Sequence, residues 1–521
     1  MLTRVHQLSR EQAVLRKKLL EVTWVQYTAG LDFGVAAGAA AEHAFLRDKQ
    51  NFAIVCDARE KDLNADDRRR IEILYREFSE HHMSDRANEL RKEIDEIETA
   101  LSDVLNKNRV VFGGREIPLL EWSKLVTESP DRAIREKAYL ARRNINQKLF
   151  DAGFLKLIDL RKEFAVACGA ADFVSYQLRK SELTPAVFED WKSACRTVAP
   201  SYQAKRHDLA QRHLGLETLK PWDVEFLKNQ ICRFNKVEVE MNDFKKPMAK
   251  VFSAFGFDIE KLNITFDIFP RKNKSEWGFN FPMEIGRDSR VLANVDSRFS
   301  GYWVLLHETA HGVHFLGLEP EDHLMNAGVS GIVAEGFANF FGDLAFSKEF
   351  LREVFAPGSE AAARAGADVE TIEAAFREVK RLGDLGNLTS MATTIFDQEI
   401  YRSNLRTLDD IHELKWSVDR DMLGAEPYAD EPLWAHLIHH TTAPIYLHNY
   451  ILGDVMCENM KEIFQRRTGA RALERPLEFG AFWKEKVLAP SGRYPFLDLY
   501  ERVCEEPLSI SRYLEFCLRE C

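Results

Sequence analysis

Apolar residues recur at helical spacing along most of the chain. Segments 66–107 and 129–169 carry Leu, Ile and Phe three or four positions apart, with Glu, Lys and Arg between them. This pattern is typical of amphipathic helices that bury one face and expose the other. Ser129 and Pro130 open the second segment and suit a helix cap and first turn. The sequence therefore predicts a mainly α fold.

Strand signal is confined to three short segments, 262–270, 277–285 and 290–295. They are rich in aromatic and β-branched residues and are punctuated by Gly and Pro, as strands are. They come just before an apolar segment that contains histidines. We therefore expect a small β-sheet packed beside that helix.

The size and charge of the chain narrow its class. A chain of 521 residues is long enough for two lobes, and we place them at 1–200 and 201–521. The net charge of −11 argues against nucleic-acid binding, which needs clustered Lys and Arg. The apolar run 34–41 is too short to span a bilayer. The first residues lack a signal-peptide core and no CxxC pair occurs, so we expect a cytoplasmic protein with reduced cysteines.

The segment HETAHGVH, residues 307–314, carries the first chemical signal. His307 and His311 lie four positions apart and project from one face of a helix, close enough to share one cation. This is the spacing at which zinc takes two of its ligands. Glu308 lies beside them and can accept a proton from a metal-bound water. The alternative is a helix whose histidines only pack. Its apolar stripe is Trp303, Leu306, Ala310 and Val313.

A third ligand is supplied by the segment 329–346, VSGIVAEGFANFFGDLAF. Its phenylalanines fall at core-facing helical spacing, whereas Glu335 shares the other face with small residues. Small neighbours let a helix or a metal approach the carboxylate, and a buried glutamate needs a cation or a proton. The alternative is a partly exposed glutamate on a helix-packing face.

The segment 434–454 carries two tyrosines and several histidines. Pro444 would start a helix that places Tyr446 and Tyr450 on one face, after His439 and His440. Phenol and imidazole groups can stabilise an oxyanion at a metal centre. The alternative is aromatic core packing. We interpret His448 as structural and His314 as a packing or supporting residue.

Together these segments resemble the oligoendopeptidase F and thimet oligopeptidase family of gluzincin metallopeptidases, and more weakly angiotensin-converting enzyme. HETAHGVH is similar to the family's HExGHxxH, with Ala310 in place of its glycine, and IVAEGFANFF is similar to its third-ligand segment. HHTTAPIYLHNYILG resembles the family's block of one histidine and two tyrosines, with His440, Tyr446 and Tyr450 in register. The similarity runs from about residue 265 to 455.

The resemblance implies a helical ellipsoid with a deep, narrow substrate cleft and one zinc ion per chain. The zinc ligands would be His307, His311 and Glu335, and Glu308 would be the general base. His440 and Tyr450 would stabilise the oxyanion, with Tyr446 as a second contact. The strand around Trp277 and Gly278 would bind the backbone of a short, unstructured peptide substrate.

Three other functions compete with internal peptide cleavage. A non-catalytic peptide-binding protein should lack a ligand or the base, yet all four residues are present. A zinc enzyme for a non-peptide amide would use the same chemistry. A dipeptidyl carboxypeptidase must bind a free carboxylate. The angiotensin-converting enzyme has a lysine two positions before the block's histidine, where this chain has Ile438. We therefore favour internal cleavage.

Overall fold

Helices make up most of the computed structural model, which describes residues 2–275 and 278–519. The α-helices are α1 (Leu2–Ala29), α2 (Val35–Leu46), α3 (Lys49–Arg59), α4 (Ala65–Ser79), α5 (Asp85–Lys107), α6 (Leu119–Glu128), α7 (Arg132–Ala141), α8 (Asn144–Asp151), α9 (Phe154–Ala167), α10 (Phe173–Lys180), α11 (Trp191–Leu214), α12 (Pro221–Ile231), α13 (Lys245–Ala254), α14 (Gly301–Leu316), α15 (His323–Asn326), α16 (Gly331–Asp343), α17 (Lys348–Val354), α18 (Glu360–Ala365), α19 (Val369–Arg402), α20 (Leu408–Leu423), α21 (His448–Thr468), α22 (Pro476–Trp483), α23 (Phe496–Cys504) and α24 (Ile510–Arg519). The strands are β1 (Val110–Phe112), β2 (Arg115–Ile117), β3 (Ile264–Asp267), β4 (Phe279–Glu284) and β5 (Asp288–Leu292). The predicted mainly α fold is confirmed.

Polar caps divide the long helical segments that the periodicity suggested. Segment 66–107 forms α4 and α5, and the Ser84 hydroxyl caps α5 by accepting the Ala87 N–H at 3.2 Å. Segment 129–169 forms α7, α8 and α9. The cap of α7 is Asp131 rather than Ser129, because its carboxylate accepts the Ala133 N–H at 2.9 Å. Helical periodicity continues across such breaks, so it does not reveal them.

The chain forms two compact units, each assembled from three separate segments. The first unit contains Met1–Met83, Phe234–Glu373 and Leu452–Leu508. The second contains Ser84–Arg233, Ala374–Ile451 and Ser509–Cys521. Within the first unit, α1 packs on β4 from the middle of the chain. The lobes expected at 1–200 and 201–521 stay a prediction.

The first unit is organised around a three-stranded sheet of order β3-β5-β4. Strands β3 and β5 are parallel, with Ile264 opposite Ser289, and β4 and β5 are antiparallel, with Phe279 opposite Leu292. Helix α14 packs on β4 and β5. The predicted sheet beside the histidine helix is therefore present.

The other face of this sheet is covered by α1. The Trp24 ring meets Phe281 edge to face at 5.4 Å. Lys17 Nζ forms an ion pair with Glu284 at 2.6 Å. Because alternate residues of a strand point to opposite faces, Phe281 faces α1 while Asn280 faces α14.

The described residues of the second unit form helices and the hairpin β1–β2 with its Gly113–Gly114 turn. Helix α5 packs on α9, and α11 packs on α20 and α24. The Asp223 carboxylate is fully buried and accepts hydrogen bonds from Arg132 and Arg135. Within the described residues of both units, none of the helices combines the length and apolar character that crossing a membrane requires.

Candidate metal centre

Helix α14 presents two imidazoles from one face. His307 and His311 lie one turn apart, and their ring centroids are 4.8 Å apart. The helix is anchored by apolar side chains that are almost completely buried, namely Leu305, Leu306, Ala310 and Val313. Of the predicted anchoring stripe, Leu306, Ala310 and Val313 are buried as expected, whereas Trp303 is only partly buried and stacks on His307.

Helix α16 adds a carboxylate to the same point. Its N-terminus is capped by Ser330, whose hydroxyl accepts the Ile332 N–H at 3.3 Å. Helices α14 and α16 pack closely, and Glu335 Oε2 lies 3.7 Å from Nε2 of both His307 and His311. All three potential ligand atoms lie within 4.8 Å of one another. The structure thus brings together the three predicted metal ligands.

The chemistry of this donor set fits a divalent metal ion. A separation of 3.7 Å is too long for a hydrogen bond, but it is close to the roughly 3.4 Å between two ligands of a tetrahedral ion. Burial lowers the pKa of His307 to about 4 and holds the pKa of His311 well below its usual value. Both imidazoles are therefore neutral at pH 7, so each has a lone pair available for a metal.

An aromatic side chain fixes one of the two imidazoles. Trp303 stacks on the His307 ring at 4.9 Å with the two planes 20° apart. The Trp303 indole N–H donates to the Asp343 carboxylate at 3.1 Å. Since the orientation of a ligand is set by what surrounds it, Trp303 reduces the freedom of His307 before any ion binds.

The Glu308 carboxyl lies in a buried environment beside these ligands. The residue is 9% exposed. Burial, together with the charge of Glu335, raises the pKa of Glu308 to about 8. A cation held by the ligand set would favour the ionised form of this carboxyl. Glu308 can therefore take up and release a proton near neutral pH.

Strand β4 of the sheet packs against the side of α14 that carries Glu308. The Asn280 amide donates to the Glu308 carbonyl oxygen at 3.2 Å and to the Ser289 hydroxyl at 2.9 Å. A Cβ at Gly278 would lie 3.3 Å from Glu308 Oε1, closer than most Cβ contacts. Strand β4 thus approaches the carboxyl because residue 278 has no side chain. Trp277, predicted to act with Gly278, lies outside the described residues.

Two glycines bring α21 against α16 next to the third ligand. A Cβ at Gly453 would lie 2.7 Å from the Gly336 nitrogen and 2.8 Å from the Ile332 oxygen. The Cys457 thiol donates to the Gly336 carbonyl oxygen at 2.9 Å. The small residues beside Glu335 suggested a close approach, but only the fold identifies the partner helix.

The predicted oxyanion donors belong to the second unit. Helix α21 begins at His448 rather than at Pro444, so Tyr446 precedes the helix and only Tyr450 lies on it. The reason is that Ile445 has a left-handed backbone, which interrupts the helical path. The Tyr446 and Tyr450 rings are nevertheless only 5.6 Å apart.

The two neighbouring histidines have different surroundings. The His439 ring lies 6.1 Å from Tyr446 and 6.2 Å from Tyr450. His440 turns into the core, where its Nδ1 is 3.0 Å from Asp397 Oδ1. Sequence reasoning missed Asp397. Its signal was an acidic residue at core-facing spacing in α19, three positions after the buried Thr394.

Two further histidines are core residues. His448 is 1% exposed and packs edge to face on Phe188 at 5.7 Å. His314 is also 1% exposed and lies against Phe337 at 5.6 Å. Neither ring makes a hydrogen bond with another described residue. Their positions agree with packing, the structural interpretation given to His448.

Comparisons with known proteins extend over most of the chain. The sequence model of peptidase family M3 matches residues 125–488, more than half of the chain. No curated protein sequence is significantly similar to it. The fold is similar to that of an M32 carboxypeptidase from Deinococcus radiodurans R1, with 15% identity, a TM-score of 0.72, and coverage of 99% of this chain and 97% of that one.

Two other solved structures show the same fold. A Pyrococcus furiosus carboxypeptidase is 14% identical, with a TM-score of 0.70 and coverage of 100% of this chain and 98% of that one. PZ peptidase A, solved with an inhibitor, is 14% identical, with a TM-score of 0.67 and coverage of 98% of this chain and 86% of that one. At such low identity these likenesses establish the helical fold alone.

Proposed function

Because the chain belongs to peptidase family M3 and is a metallopeptidase, we propose that it is a zinc-dependent oligoendopeptidase. Its substrates are short, unstructured peptides, which it cleaves at internal bonds. One observation carries the proposal, namely that two neutral imidazoles and the Glu335 carboxylate converge within 4.8 Å beside a second, buried carboxyl. This set supplies three ligands and a base, as hydrolysis by an activated water requires.

His307, His311 and Glu335 would hold the zinc ion. Zinc bound there would polarise a water and lower its pKa from 15.7 towards about 7. Glu308 accepts the proton of the attacking water and passes it to the leaving amine nitrogen. The buried environment of Glu308 supports this role, because its pKa of about 8 without a cation allows both proton uptake and release.

We assign the stabilisation of the oxyanion to His440 and Tyr450, with Tyr446 as a second contact. Imidazole and phenol groups are suitable donors, and the resemblance to the family supports the assignment. The edge strand β4 binds the substrate backbone at Gly278 by adding the peptide as a further strand. β4 is an outer strand of its sheet, which leaves one edge for such pairing.

A carboxypeptidase is the second candidate. Two of the structures with the same fold are described as carboxypeptidases. Such an enzyme must bind the free C-terminal carboxylate with cationic or hydrogen-bonding groups. Ile438, two positions before His440, is apolar and 39% exposed, so it offers no such group. This favours internal cleavage.

Metal analysis and peptide digestion test the proposal together. We expect one zinc per chain and cleavage of short peptides at internal bonds, with intact folded proteins left uncut. Amidating the C-terminus of a good substrate should hardly change kcat/KM. If amidation abolishes cleavage or every product is a C-terminal fragment of fixed length, the enzyme is a carboxypeptidase.

The base is tested by Glu308→Gln. This variant should keep one zinc per chain and lose nearly all hydrolysis, because Glu308 is not a ligand. Glu321→Gln, which changes a glutamate whose side chain is 64% exposed, is the matched control and should keep full activity. Retained turnover in Glu308→Gln would remove that residue from the mechanism.

A further inference from the structure

One buried carboxylate holds both ends of the segment between His440 and Tyr446. Asp397 Oδ1 accepts a hydrogen bond from His440 Nδ1–H at 3.0 Å, and Oδ2 accepts the Ile445 N–H at 2.6 Å. Asp397 and His440 are each 1% exposed, and Ile445 is 6% exposed. Both oxygens of Asp397 are thus used to fix the same six-residue loop.

The loop has a backbone that requires such support. Ile445 has a φ of 56°, a left-handed conformation that β-branched residues rarely adopt. Such a conformation persists only where the surroundings hold it. Arg161 supplies a second anchor, because its guanidinium donates to the Thr441 carbonyl oxygen and to the Tyr401 hydroxyl. The loop is therefore held by side chains from α9 and α19.

The contact with Asp397 has a consequence for the other ring nitrogen of His440. A carboxylate accepts hydrogen bonds, so Nδ1 carries the proton. A neutral ring would then present only a lone pair at Nε2, which cannot donate to an oxyanion. Donation from Nε2 to an oxyanion therefore requires a second proton on the ring while Nδ1–H stays on Asp397.

Other titratable groups also lie around His440. His436 and His439 both interact electrostatically with His440. Burial lowers the pKa of both neighbours, so they are neutral at pH 7. Lys415 carries a positive charge in the same region, but it is paired with Asp419 at 2.5 Å. Asp397 contacts the His440 ring directly, at 3.0 Å from Nδ1.

We propose that Asp397 is a positioning residue that holds the His440 ring through Nδ1–H and fixes the loop leading to Tyr446. His440 then donates from Nε2 to the oxyanion while Nδ1–H stays on Asp397. This inference rests on the proposed function for its role in catalysis. The protonation of His440 and the loop geometry can be tested without any activity.

The first test is the protonation of His440 in the full-length protein. Long-range ¹H–¹⁵N spectra of histidine-labelled protein report both ring nitrogens, and His440→Gln identifies the signals. We expect Nδ1 to carry a proton in the parent protein, and its signal to change in Asp397→Asn. An Nδ1 without a proton in the parent protein would overturn the proposal, whether or not the variant folds.

The second test is kinetic coupling. Asparagine cannot accept at both oxygen positions, so Asp397→Asn should lower kcat roughly 100-fold, the typical value of one oxyanion donor, with KM and zinc content unchanged. The double variant with His440→Gln should be no slower than His440→Gln alone. Asp223→Asn removes another buried acid of the second unit and should leave kcat unchanged.

The remaining outcomes distinguish a failure of the inference about Asp397 from a failure of the proposed peptidase function. Additive losses in the double variant would show that Asp397 does not act through His440 and would overturn the inference. The inference would also be overturned if the kinetic effect of Asp397→Asn were coupled to His439 instead, because the oxyanion donor would then be His439. If the parent protein cleaves no peptide, the proposed function fails, and the protonation of His440 alone decides whether Asp397 holds it as described.

Discussion

Replacing Gly453 with alanine tests whether the contact between α21 and α16 positions Glu335. The new Cβ would lie 2.7 Å from the Gly336 nitrogen, where ordinary contacts start at 3.4 Å, so the two backbones must separate by about 0.7 Å. Overpacking of this kind costs about 1–3 kcal/mol. Alanine in a helix recovers roughly 1 kcal/mol relative to glycine. The net loss of stability should be roughly 0–2 kcal/mol.

The same shift should weaken metal binding, because Glu335 immediately precedes Gly336. Urea denaturation of the metal-free protein measures the stability, and competition with a chelator measures the zinc affinity. Gly383→Ala is the matched control, since Gly383 lies within α19 and its added Cβ would meet no atom within 4 Å. That variant should be slightly more stable and bind zinc normally. A Gly453→Ala protein with unchanged stability and zinc affinity would refute the reasoning.

We make four further predictions about single residues. Glu335→Ala should bind zinc far more weakly than the parent in a chelator competition, and equal affinity would mean that another residue is the third ligand. Tyr450→Phe should lower kcat roughly 100-fold with little change in KM, whereas an unchanged kcat would leave Tyr450 a packing role. Gly278→Ala should lower kcat while zinc content stays at one, because the methyl group crowds the Glu308 carboxyl. Burial lowers the pKa of His448 in the folded protein to about 3. As the pH falls, the unfolded chain therefore binds a proton at this histidine before the folded protein does. Stability should therefore fall by up to about 1.4 kcal/mol per pH unit as the pH drops from about 6.5 towards 3, and His448→Phe should reduce that slope in urea titrations; identical slopes would contradict this.

The sequence predicts the metal centre well because its geometry is local. His307 and His311 are one helical turn apart, so their shared face follows from periodicity alone. Glu335 carried a different signal, a carboxylate among small residues on an otherwise apolar helix. The strands β3, β4 and β5 were also predictable, since aromatic and β-branched residues are frequent there and Gly and Pro separate the segments.

What the sequence could not predict depends on contacts between distant segments. The close approach of Gly453 to Gly336 joins residues more than a hundred positions apart, and no periodicity encodes such a pair. The role of Asp397 in α19 could not be predicted either, because it depends on contacts with His440 and Ile445, which are more than forty positions away in the sequence. The start of α21 was misplaced because Pro444 is a good first residue of a helix, whereas the left-handed Ile445 that follows excludes one.

The interleaving of the two units has a consequence for how the chain folds during synthesis. Lys17 in helix α1 leaves the ribosome 267 residues before its partner Glu284. The last segment of the first unit, Leu452–Leu508, is made later still. Trp24 and its neighbours must therefore remain without strand β4 while the chain up to Phe279–Glu284 is translated. Neither unit is a consecutive length of chain, so a fragment ending near residue 200 would contain parts of both units and a complete core of neither.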